Sequence, residues 1–137
     1  MERITQVQLA ELINRSGQLW LVDLDLSGLS LRNAVLKLAD FSGAAMSGSD
    51  LRNVEMNGVN MNGTNLSGAN LSGAKLMYGK FQHANLEGAN LQGANMTGAI
   101  MVGVNLKNAN LKGATIQDAN LEGAIFENTV MPNGTIR

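Results

Sequence analysis

The chain has 137 residues, with 10 basic and 11 acidic side chains, 16 glycines, one proline and no cysteine. Without cysteine there is no disulfide framework, thiolate metal site or thiol nucleophile. The even charge also lacks the concentrated basic surface that nucleic-acid binding requires. Aromatic residues make up only 4% of the chain, which disfavours a conventional globular core and favours one domain of thin, turn-rich layers.

The chain opens on a cap, residues 1–18. Thr5 followed by Gln8 is a capping-box pattern, and Ile4 with Leu9 has the spacing of a hydrophobic staple. Leu9, Leu12 and Ile13 share one helical face, and Gly17 is placed to stop the helix, so a short amphipathic helix is expected over 6–15. Its expected task is to cover the raw apolar end of the stack that begins at residue 19, with Leu19 and Trp20 at the junction. The first residues carry charges and no continuous apolar signal core, and no stretch is long enough to span a bilayer. A cytoplasmic protein with no membrane partner is expected.

From residue 19 to 137 the chain is one five-residue repeat. Every fifth residue from Leu21 to Ile136 is apolar, 24 in succession with no insertion. An α-helix would spread these residues around its whole surface. A flat strand would send alternate ones to opposite faces. A chain that turns a corner after each pentad buries all of them, and stacking such turns pairs their backbones. Two residues before each centre stands a small residue, as at Ala69, Ala89 and Ala109, where a narrow interior excludes larger groups. Next comes a polar position rich in Asn (Asn65, Asn70, Asn85, Asn90), and two residues after the centre Gly dominates, as expected at a corner.

The runs A-N-L-S-G-A-N-L-S-G and A-N-L-E-G-A-N-L-Q-G resemble the A-(D/N)-L-x-x signature of the pentapeptide repeat proteins, over about 119 of the 137 residues. The resemblance implies an all-β fold: a right-handed, four-sided parallel β-helix with four pentads per coil and nearly six coils. Phe41 and Phe81 stand 40 apart, a multiple of 20. Some members of that family mimic DNA and protect type II topoisomerases, but those are strongly acidic. Here nine acidic residues between 21 and 137 face eight basic ones, so the electrostatic basis for mimicry is missing.

Catalytic, cofactor and metal roles find no support among the residues. His83 is the only histidine and has no carboxylate array around it; it reads as a surface residue replacing Gly at a corner. Asp23 and Asp25 form a carboxylate pair, while Asp40, Asp50 and Glu55 lie on other sides or coils, with no groove around any of them. The chain is therefore expected to be no enzyme and to need no cofactor. Its individuality lies where the surface departs from the repeat. With residues 20 apart stacked, Leu38, Tyr78 and Asp118 fill one corner column where Gly is the rule. Met77, Tyr78, Ile100 and Val102 are expected to form an exposed apolar group, rimmed by Lys75, Lys80, Gln82 and His83, as a protein-binding surface. Ile125, Val130, Met131 and Ile136 cluster at an end with no helical cap. They are candidates for pairing with a second copy, unless Pro132, Asn133 and Gly134 close that end locally. A non-enzymatic module that presents a rigid surface to a protein partner is the expectation; a DNA mimic and a purely structural rod are the alternatives.

Overall fold

A computed structural model describes all residues, 1–137. Strand β1 (Glu2–Arg3), helix α1 (Gln6–Ile13) and strand β2 (Leu24–Asp25) come first, with β1 pairing parallel to β2. From Trp20 onward the pentads stack by single parallel bridges between residues 20 apart, Trp20 to Asp40 through Asn110 to Val130. Four pentads thus complete one coil, and each coil lies directly on the one before. The stacked pentads carry their central residues into one core that runs the length of the chain. From Leu21 to Leu111 every central side chain is sealed from solvent, as are most of the small residues beside them.

One pentad shows why this backbone closes. In Asn65–Ala69, the Asn65 N–H donates down to the Ala44 carbonyl (3.0 Å) and the Leu66 N–H donates up to Asn85 (2.7 Å). Gly68 donates up to Glu87 (2.8 Å), and Ala69 donates back across the corner to Leu66 (3.0 Å). The remaining donor, Ser67 N–H, is met by the Asn65 side-chain oxygen at 3.1 Å. All five N–H groups are satisfied, which a buried or half-buried backbone demands. The Asn at the outward position is therefore a structural element: its short side chain bonds the backbone two residues on. Asp40, Asn70, Asn90 and Asn110 do the same. Where Lys75 and Lys80 replace Asn, the orphaned N–H groups of Met77 and Gln82 are met instead by the side chains of Asn57 and Asn62, one coil below.

The N-terminal helix carries the expected capping box, with Thr5 Oγ1 accepting from Gln8 N–H (3.1 Å) and Gln8 Oε1 accepting from Thr5 N–H (2.8 Å). It ends at Ile13, two residues short of the expected limit, with Asn14 as its C-cap. Ile4 and Leu9 are buried in the common core, and Leu12, Ile13 and Leu19 pack against it. Leu19 and Trp20 lie at the junction with the cap, lining a cavity with Leu12 and Arg15. Trp20 occupies an outward position of the first coil there and is 63% exposed.

The C-terminal end departs more. The apolar period continues to Ile136, but the coil does not. The chain turns at Asn133 and Gly134 and returns antiparallel, with Ile136 bridging Val130 and Arg137 exchanging hydrogen bonds with Thr129 (3.0 and 2.9 Å). Ile136 is 65% exposed instead of taking a central position.

At the corners, nine residues other than glycine adopt positive φ. Their side chains have a direction: Asp23 lies over Gly43, Leu38 over Gly58, Asn53 over Gly73, Tyr78 over Gly98 and His83 over Gly103. A large corner side chain is thus matched by glycine one coil on. Gly93 and Gly98 have nearly equal φ, +66° and +67°, so Ala at either costs the same left-handed strain, about 1–2 kcal/mol. A Cβ at Gly93 meets open space, whereas at Gly98 it would come within 2.6 Å of the Tyr78 ring. Gly98→Ala is expected to lower the urea midpoint further than Gly93→Ala, and adding Tyr78→Ala to remove the excess. Equal midpoints for the two single variants would mean that the ring swings clear without cost.

Candidate functional site

The corner column Leu38, Gly58, Tyr78, Gly98, Asp118 separates two sides of the coil. On one side the outward residues are Val35, Glu55, Lys75 and Asn95; on the other they are Trp20, Asp40, Asn60, Lys80 and Ile100. Within the stacked coils, exposed large apolar side chains gather here: Trp20, Val22, Val35, Leu38 and Tyr78 all lie on these two sides or their shared corner, and only Ile125, near the C-terminal end, lies on another. Leu38 and Tyr78, 65% and 64% exposed, stand two coils apart and form the ridge of this edge. The remaining sides carry Asn65, Asn85 and Asn105, or Asn70, Asn90 and Asn110, whose oxygens are occupied in turn geometry.

The expected apolar group is therefore present in part and shifted. Tyr78 is exposed, but Met77, Ile100 and Val102 are half-buried. Ile100 is held in the ladder between Lys80 and Asn120, and outward stacking shields its flanks. Lys75 is engaged with Glu55 at 3.3 Å, an exposed pair of small energetic weight. Lys80 and Gln82 are exposed, and His83 lies on the next corner, over Gly103. Tyr78 and His83 thus flank one pentad from its two corners. The repeat alone joins Leu38 and Tyr78 in one column but leaves Trp20, Val22 and Val35 apart from them. Their signal is position modulo 20, which gathers all five at one edge.

At the C-terminal end, Ile125 and Ile136 are exposed while Val130 and Met131 are half-buried under the return strand. The Arg137 guanidinium lies over the Phe126 ring, 4.0 Å from its centre. Two cavities of about 240 and 310 Å³ flank α1, both lined by Leu12 and Arg15, and neither reaches the Tyr78 edge. No three His, Asp or Glu side chains are placed to share a metal ion. No helix is long and apolar enough to cross a membrane.

Stacked five-residue corners around an apolar core define a solenoid of the β-helix class. The chain belongs to the pentapeptide repeat family, whose model matches residues 21–58, 55–93 and 89–128 with eight copies. Proteins of this family form right-handed β-helices and are generally structural or binding proteins. Among solved structures, the pentapeptide repeat protein Rfr23 from the cyanobacterium Cyanothece 51142 is 30% identical, with a TM-score of 0.61, over 78% of this chain and 67% of that one. A pentapeptide repeat protein of the Arabidopsis thaliana thylakoid lumen is 32% identical, with a TM-score of 0.55. There the match covers 69% of this chain and 62% of that one, so this chain spans less than two thirds of that relative. QnrB1, a plasmid-mediated fluoroquinolone resistance protein, is 16% identical in its trypsin-treated form, with a TM-score of 0.47 over 82% of this chain and 60% of that one. A comparison with curated protein sequences found no match.

The strongest electrostatic feature lies away from the apolar edge. Arg52 donates to both oxygens of Asp50, Nε at 2.9 Å and Nη2 at 2.7 Å, and its backbone N–H also bonds Asp50. These bonds hold the Asp50 carboxyl at about 2, against its ordinary 3.8. The folded value is the lower one, so the stabilising contribution is fully present above pH 3.8 and is lost as pH falls through about 2. Asp50→Asn keeps the side-chain oxygen that holds the turn. It is expected to flatten the decline in melting temperature between about pH 4 and 2 while leaving the fold unchanged. An identical decline in the variant would assign the acid sensitivity to other carboxylates.

Proposed function

We propose that this protein is a non-enzymatic binding module. In this reading a rod of nearly six coils, closed at its start by residues 1–18, offers the Leu38–Tyr78 edge to a protein partner. The observation that carries it is the gathering of exposed large apolar side chains on one edge, while the outward positions of the other sides are mainly polar or charged, with Ile125 the one exposed large apolar residue among them. Aromatic and aliphatic groups within a polar rim are the composition that protein contacts favour. The rod supplies rigidity: at the Leu38–Tyr78 edge the coils are joined to one another by backbone hydrogen bonds, so little conformational entropy is lost on docking.

DNA mimicry needs a dense negative field, and nine acidic residues against eight basic ones do not make one. The likeness to QnrB1, at 16% identity, lends it no argument. A purely structural rod has no use for Trp20, Leu38 and Tyr78 in water. Homodimerisation through Ile125, Val130, Met131 and Ile136 is not part of this reading, because the return strand takes up the hydrogen-bonding edge of Val130 and Met131.

The test is a pull-down comparing wild type with Leu38→Asn/Tyr78→Asn. Asn is already the residue at other positive-φ corners (Asn33, Asn53, Asn108), so the double variant is expected to melt no lower than wild type. A partner bound by wild type and by a control variant, Lys112→Ser on the opposite side, but lost from the double variant, is the expected result. Equal capture by all three proteins would remove the edge from the reading.

A further inference from the structure

The end of the stack is closed on some sides only. The return strand covers the side of Val130 and Met131, with Met131 N–H donating to Thr135 at 2.7 Å, and Arg137 lies over Phe126. On the two sides before these, the N–H groups of Ile116, Asp118, Leu121 and Gly123 have no partner, and nothing donates to the carbonyls of Ala119 and Ala124. One coil below, the equivalent donors of Met96, Gly98, Met101 and Gly103 reach the next coil at 2.7–2.9 Å. Ile116, Ala119 and Leu121 are only partly buried, where Met96, Ala99 and Met101 are sealed. An unpaired sheet edge beside open apolar core is a template for one more strand.

The charge around this edge selects the strand. From Thr115 to Asn128 the charged residues are Asp118, Glu122 and Glu127, with no Lys or Arg among them. Glu127 is engaged with Lys107 at 3.5 Å, but Asp118 and Glu122 are exposed and take part in no ion pair. A second copy meeting this edge about a two-fold axis would bring two sets of these carboxylates together, which opposes self-association.

We propose that the open edge at Leu121 takes an extended, basic segment of a partner protein as an added strand. Two carbonyls of that segment accept from Leu121 and Gly123 N–H, and one of its N–H groups donates to Ala119. An apolar side chain covers Leu121, and flanking Lys or Arg side chains meet Asp118 and Glu122. This surface is separate from the Tyr78 edge, and the two readings stand or fall independently.

The probe is a fluorescent seven-residue peptide alternating lysine with valine, set against the same peptide with glutamate for lysine, by fluorescence anisotropy on the full chain. The lysine peptide is expected to bind at least ~tenfold more tightly at low salt, an advantage that shrinks as salt rises. Asp118→Lys/Glu122→Lys should reverse the preference, and Leu38→Asn/Tyr78→Asn should leave it unchanged. Amide hydrogen exchange supplies the location: the peptide should slow exchange at Ile116, Asp118, Leu121 and Gly123. Absence of binding, protection at other amides, or a preference unmoved by the charge reversal would each overturn the proposal. A peptide-free dimer with those amides already protected would overturn it in favour of a second copy.

Discussion

Everything in this fold depends on closing the backbone N–H groups of its pentads. Four close through the coil itself, two upward, one downward and one across the corner; the fifth has no backbone partner and in most pentads is taken by a side chain. A donor left bare beside a packed interior costs about 1–3 kcal/mol, and the demand recurs every five residues. The outward Asn or Asp is a short side chain whose oxygen reaches the backbone two residues on. Two of the exceptions meet the same demand from elsewhere: when Lys75 and Lys80 displace Asn, Asn57 and Asn62 reach up from the preceding coil. Where Val35, Ala45, Glu55 or Ile100 stands outward, the N–H two residues on has no partner within the protein. The repeat pattern thus records hydrogen bonding as much as hydrophobic burial.

The same closure explains why the sides differ. Once the Asn oxygens are committed to turns, the Asn-rich sides present little that is distinctive. Variation is left to the outward positions that give up Asn and to the corners that give up Gly. On the edge defined by Leu38 and Tyr78 both kinds of departure occur together, with Val35, Lys75, Lys80 and Ile100 on the flanking sides. A corner side chain at positive φ is strained, yet Leu38 and Tyr78 accept that strain while also remaining exposed. That combination marks the edge as a place where packing alone does not dictate the residue.

Much of this is legible in the sequence. The centres from Leu21 to Leu111 are sealed as the period of five requires, and the Thr5–Gln8 box caps α1. The features that escape are those the period does not encode. Strand β1 consists of only two exposed residues, whose pairing depends on where α1 returns the chain. Ile136 keeps the period but loses the coil. The pentad from Val130 to Gly134 ends in a turn that folds the chain back, and an apolar residue at the right spacing cannot reveal that. The apolar character of Ile100 and Val102 suggests an exposed patch; stacking in the ladder half-buries them. The candidate edge is half visible, because the column through Leu38 and Tyr78 comes directly from the 20-residue coil while the contributions of Trp20 and Val35 lie on the sides that flank it.

The direction of the corner side chains constrains how such a protein can change length. Along the Tyr78 corner the residues alternate Leu38, Gly58, Tyr78, Gly98, with each large side chain resting on the glycine one coil on. The core beside this corner alternates as well, Phe41, Met61, Phe81, Met101. Excising one coil from this stretch would preserve every hydrogen-bond register yet set Leu38 directly beneath Tyr78, or Tyr78 beneath Asp118. Excising two coils would preserve both alternations. Along this edge the unit that can be gained or lost by duplication is a pair of coils, twice what the backbone alone would allow.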